Sequence, residues 1–184
     1  MELLLALAVA ALVSGVIFQV LVGEEAISRR LARRWREGSV QRRTLELVRS
    51  ELRRAESVQL APPGGASAAA CGLGGRTVVL HLAMGAAQAP VTYSTGRAPS
   101  GLWRGQVLMR CGPAFSLDGQ ASGGAAQNRV VIDGLPATGG FEAAEEGPGL
   151  PRLELAQEFA EAGGGATQRI GSAITVAAAV GASP

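Results

Sequence analysis

The feature that most constrains this chain is its start. Leu3 to Val22 reads LLLALAVAALVSGVIFQVLV, twenty residues without a charge, interrupted only by Ser14, Gly15 and Gln19. As a helix this run would be about 30 Å long, the thickness of a bilayer hydrocarbon core. A cleaved secretory signal is the alternative, but signals carry a basic leading segment and a shorter apolar core. No basic residue precedes the run, so residues 1–23 read as a retained transmembrane helix. Glu2 stands at its mouth. A carboxylate there is favoured by the helix dipole at the N-terminus, or, within hydrocarbon, by a cation that pairs with it.

The apolar phase continues past the run. Ile27, Leu31, Trp35, Leu45, Val48, Leu52 and Ala55 recur at spacings of three, four and seven, which is one face of an amphipathic helix. Gly38 falls on that face and weakens it locally. A helix unbroken to Ser57 would be about 84 Å long, with residues 24–57 as its amphipathic continuation. Its polar face is basic: ten of the 17 arginines lie between Arg29 and Arg54, interleaved with Glu24, Glu25, Glu37, Glu46, Glu51 and Glu56. Mixed charge of this kind reads as a solvated or intersubunit face. Nucleic-acid binding is the sharper alternative, poorly supported because Trp35 is the only aromatic available for stacking.

Length and charge narrow the choices further. The chain has 184 residues, enough for one domain and an appendage, with 17 basic residues against 15 acidic ones. One histidine and two cysteines exclude four-cysteine zinc sites and multi-histidine metal sites within one chain.

Composition shifts after Ser57. Residues 58–70 read as a linker, with proline, glycine and small residues concentrated in APPGGASAAA. The remainder, 71–184, contains strand-like runs at Arg76–Met84, Pro90–Thr95, Leu102–Arg110, Arg129–Asp133, Arg152–Phe159 and Ile170–Val176. The tracts Ser116–Asn128 and Ala137–Gly149 read as long loops. The expected fold class is α+β: a long N-terminal helix, membrane-spanning in its first half, packed through its second half on a small antiparallel sheet. Leu45, Val48 and Leu52 are the natural cover for that sheet.

Little in this head points to catalysis. Cys71 and Cys111 are not a C-x-x-C pair, and an even count in an exported domain favours a structural disulfide between them. His81 is alone in an apolar alternating run and reads as a structural strand residue. Gly72, Gly74 and Gly75 precede a strand, the wrong order for a phosphate-cradling loop, and Gly163–Gly165 lacks a following Lys-Ser/Thr. Glu142, Glu145 and Glu146 read as a solvated acidic loop. No enzyme constellation, cofactor or metal is expected.

A glutamate opening about 20 apolar residues that continue into a long amphipathic helix resembles the type IV pilins and type II secretion pseudopilins. QRRTLELVRSELRRAES is similar to the late first helix of the larger minor members, of the W- or J-type class. VVIDGLP…F…LPRLEL, within residues 130–155, is similar to a stretch near their ends. The resemblance implies a structural minor pilin or pseudopilin that assembles through its N-terminal helix. Its partners would be other pilin subunits and inner-membrane lipid. It would be a single-pass inner-membrane protein with its head outside the cytoplasm, filament-associated after assembly. In that family the assembly glutamate stands at the fifth position of the mature chain, and carried over it is Glu2. The family's leader, its Gly cleavage site and the first residues of the mature chain are missing here and Met1 stands directly before Glu2, so either the true start lies upstream or the sequence is trimmed. The five arginines from Arg29 to Arg36 run against this topology, since such a cluster ordinarily stays cytoplasmic. The rival reading is a monomeric, membrane-anchored extracytoplasmic binding module.

Overall fold

A helix that must bury one face and strands that alternate along their length account for the observed architecture. The computed structural model describes residues 2–60, 71–72, 74–85, 88–116, 121–147, 150–159 and 167–177, without the side chains of 5, 16, 17, 20–27, 29, 30 and 33. The chain divides into two units, Met1–Ser39 and Val40–Pro184. Helix α1 (Glu2–Leu52) supplies the first unit and opens the second. Eight strands follow: β1 (Ser57–Leu60), β2 (Thr77–Ala83), β3 (Val91–Arg97), β4 (Gln106–Gly112), β5 (Gln127–Leu135), β6 (Phe141–Gly147), β7 (Leu150–Phe159) and β8 (Gln168–Thr175). They form two antiparallel sheets, β1-β2-β3-β4-β5 and β6-β7-β8.

In the second unit the last turns of α1 bury Gln41, Thr44, Leu45, Val48, Glu51 and Leu52, with Ala55 just beyond. These positions recur at three, four and seven, one stripe of a helix. Leu45, Val48 and Leu52 join Leu80, Leu82, Tyr93, Leu108, Ile132, Phe141, Leu153 and Leu155 in one apolar core drawn from both sheets. Each buried leucine there contributes roughly 1.5–3 kcal/mol. The helix closes with tightened bonds, Arg54 N–H donating to Glu51 O at 3.0 Å and Ala55 N–H shared between Glu51 O and Leu52 O. Glu56 N–H then bonds to Ala83 O at 2.8 Å, and the chain enters the sheet.

This corrects the expected fold class. The bulk of the chain beyond α1 is two antiparallel sheets sharing a core, not a small sheet under a long membrane helix. Among the described residues no helix is long and apolar enough to cross a membrane. The transmembrane segment, the single-pass inner-membrane placement and the head outside the cytoplasm are therefore withdrawn.

Smaller corrections follow from pairing. Helix α1 ends at Leu52 rather than Ser57, and Ser57–Leu60 is strand β1 rather than helix end and linker. The rest of the expected linker, 61–70, lies outside the described residues, as does Gly163–Gly165. Most of the loop expected at Ala137–Gly149 is strand β6, FEAAEEG, whose alanines and glutamates are poor strand formers by propensity. Pairing with β7, from Phe141 opposite Leu155 to Gly147 opposite Leu150, overrides that propensity. The strand expected from Leu102 begins only at Gln106. Gly105 turns the chain there at φ +55°, and a Cβ on it would meet Leu135 O at 2.9 Å.

Candidate functional site

The most unusual chemistry among the described residues is a buried charge cluster where α1 meets the five-stranded sheet. Glu51 is 1% exposed on the helix, while Tyr93 on β3 and Arg110 on β4 are 0% and 4% exposed. Tyr93 and Arg110 are paired neighbours in the β3–β4 register, so both side chains leave the sheet on one face. The Arg110 Nε and Nη2 groups both donate to Glu51 Oε1, at 2.9 and 2.7 Å. The Tyr93 hydroxyl donates to Glu51 Oε2. Arg110 Nη1 donates to Pro113 O at 2.9 Å, and the guanidinium lies 4.7 Å from the Phe115 ring centroid. The carboxylate is thereby fully engaged, and the cluster joins one helix to two strands.

Burial pushes the Tyr93 hydroxyl well above its usual 10.0, and the adjacent Glu51 charge raises it further against the opposing pull of Arg110. A raised folded-state value means Tyr93 supports folding fully below its unfolded value. That support is lost as pH rises through the alkaline range toward its folded value. The chain has a single tyrosine, so ultraviolet absorbance reads this group alone. We expect no phenolate signal from folded protein at pH 10, and its appearance together with unfolding at higher pH. Reversible ionisation near 10 in the folded protein would contradict the cluster.

A second polar network holds the start of the buried helical stretch to the three-stranded sheet. Gln41 Nε2 donates to Gln157 Oε1 at 3.1 Å and to Ile170 O at 3.0 Å, and the Ser172 hydroxyl donates to Gln41 Oε1 at 2.7 Å. Gln157 Nε2 continues to Asp133 O on β5 at 2.7 Å, joining the sheets. Sequence reading missed Glu51, Tyr93, Arg110, Gln41 and Gln157. Their signal was present only on the helix, where Gln41 falls in phase with Leu45, Val48 and Leu52, and Glu51 lies three residues beyond Val48.

The residues singled out from sequence are dispersed. Glu2 is exposed in the first turn of α1. Cys71 and Cys111 are bonded to each other, with Cα atoms 6.0 Å apart. His81 lies on β2 with Nδ1 2.9 Å from Thr92 Oγ1 on β3, and desolvation lowers its pKa below 6.5. Glu142, Glu145 and Glu146 lie on β6. Glu146 is 3.5 Å from Arg152 and accepts from the Thr175 hydroxyl at 2.7 Å. Among the described residues no group of three or more His, Cys, Asp or Glu side chains is placed to hold a metal ion.

One loop is built for display. Between β3 and β4, Leu102 is 90% and Trp103 41% exposed. The next residue anchors them: Arg104 donates to Asp133 through its backbone N–H at 3.0 Å and its guanidinium at 3.1 and 3.3 Å, and lies 5.1 Å from the Phe159 centroid. Burial pushes the Asp133 carboxyl up, but its hydrogen bonds and ion pair with Arg104 outweigh this and hold it below 3.8.

No protein-family model matches the chain, and neither a curated protein nor a solved structure matches it. The type IV pilus and type II secretion labels therefore gain no support, and the membrane helix they require is already withdrawn.

Proposed function

We propose that this chain is a structural subunit that associates with like chains through the apolar first turns of α1, with its β-rich unit as the cargo of that assembly. The observation that carries this reading is the exposure of Leu3, Leu4, Leu7, Val9, Leu12, Val13 and Phe18, between 52% and 78% each. At 100° per residue these side chains point all round the helix and leave no polar face. A helix apolar on every side is stable in water only when surrounded. Ala6, Ala8, Ala10, Ala11 and Gly15 between them leave room for close helix approach. Glu2, in the first turn of α1, would set the axial register of neighbouring helices.

Sedimentation of the full chain tests this. The native sequence should form species larger than a monomer at micromolar concentration, and Leu7→Glu/Leu12→Glu should shift it at least tenfold toward monomer. Glu2→Ala should weaken assembly less, because it removes a register contact and no apolar surface. A native chain that stays monomeric would overturn the reading. The pinned Leu102–Trp103 tip favours a second reading, a binding module, in which Trp103→Ala would abolish partner binding and leave the oligomeric state unchanged.

A further inference from the structure

The second unit carries a basic patch at the end of α1. On the last turns of α1, Glu46, Arg49, Ser50, Arg53 and Arg54 line a shallow open groove. Three guanidinium groups stand there against one carboxylate, and that carboxylate already pairs with Arg49 Nη1 at 3.1 Å. The groove is held in shape: Arg54 Nε donates to Ser50 O at 3.1 Å, and the Arg54 guanidinium lies 6.0 Å from the Phe115 centroid. Arg49 Nε is buried and has no acceptor among the described residues. The exposed Arg53 beside it makes no ion pair among the described residues, and an incoming carboxylate would pair with it.

The same unit carries the complement. Strand β6 is an edge of its sheet and places Glu142, Glu145 and Glu146 within seven residues that include no basic one. Glu142 and Glu145 are exposed and make no ion pair among the described residues. We propose that the arginine groove at the end of α1 receives the acidic β6 edge of a second copy of this chain. The contact is heterologous, one surface meeting a different surface, so it propagates from copy to copy instead of closing as a two-fold dimer. It rests on the assembly reading above and adds a second contact to it, one that fixes how neighbouring β-rich units follow each other.

The test uses the full chain in three forms: native, Arg49→Glu/Arg53→Glu and Glu142→Arg/Glu145→Arg, with thermal melts showing that each is folded. Association is measured by sedimentation at about 50 mM and about 500 mM salt, the higher value compressing the Debye length to a few Å. Each reversed variant alone should associate about tenfold more weakly than native at low salt, and an equimolar mixture of the two should recover the loss. High salt should remove the difference between native and variants. Variants that associate like the native chain at low salt, or a mixture that recovers nothing, would overturn the proposal. If that happens while Leu7→Glu/Leu12→Glu still prevents assembly, the apolar-helix reading stands and only the charge contact falls. A native chain that stays monomeric removes both.

Discussion

Replacing Glu51 with alanine is expected to destabilise the protein by about 3–5 kcal/mol, because it strands a buried guanidinium without its counter-ion. Arg110 is 4% exposed and two of its three nitrogens donate to Glu51, so water cannot substitute for the lost carboxylate. Tyr93→Phe should cost less, roughly 1.5–3 kcal/mol, since it removes one hydrogen bond to a charged acceptor and leaves the ion pair. The informative variant is the double replacement Glu51→Leu/Arg110→Met. Exchanging a buried pair for apolar side chains of similar volume is often neutral or stabilising by about 1–4 kcal/mol. Urea denaturation of the single and double variants measures this. A double variant as unstable as Glu51→Ala would mean that the cluster does more than neutralise its own charges.

The second large effect concerns the disulfide. Cys71 and Cys111 are 40 residues apart, and a closed loop of that length restricts the unfolded chain by roughly 4 kcal/mol. Cys111 is 3% exposed on β4, directly after Arg110, so the bond holds the segment at Cys71 against the strand that carries the buried cluster. Asn128 Nδ2 adds a hydrogen bond to Cys71 O at 3.2 Å. Cys71→Ala/Cys111→Ala should therefore lower the melting temperature by roughly 8–16 °C for a chain of this size. The same double substitution in the presence of reductant should show no further loss. A change below about 2 °C would place the stability of this sheet in its apolar packing alone.

How far these features were legible depended on whether neighbours in sequence or neighbours in space decide them. The 3.6-residue spacing of Leu45, Val48 and Leu52 is a local signal, and that face is buried in the core. Alternation along Arg152–Phe159 marked β7, whose exposed and buried residues alternate over most of its length. Strand β6 was hidden because FEAAEEG carries no β-branched residue, and only pairing with β7 makes it a strand. The split into two sheets was likewise invisible, since nothing local in β5 or β6 says that the ladder stops between them. The membrane reading rested on the length of the run and the lack of a basic residue before it, and the described helix does not sustain it.

The buried cluster illustrates the limit best. Glu51 sits among RSELRR, a context that reads as solvated charge, and Arg110 follows Val107, Leu108 and Met109 in a strand. Either residue alone on an apolar face looks like an error in the pattern. Only their meeting across 59 positions makes each tolerable in the core.

The central claim, association through the apolar turns of α1, is tested most directly by a photo-crosslinking side chain placed at Leu7 of the full-length chain. Leu7 is 63% exposed within its own chain, so a copy that stays alone offers it little but solvent. Irradiation at micromolar concentration should give crosslinked dimers and larger species, with the crosslinked peptide mapping to residues 3–18 of a second copy. Monomer only, or crosslinks confined to a single chain, would contradict the account.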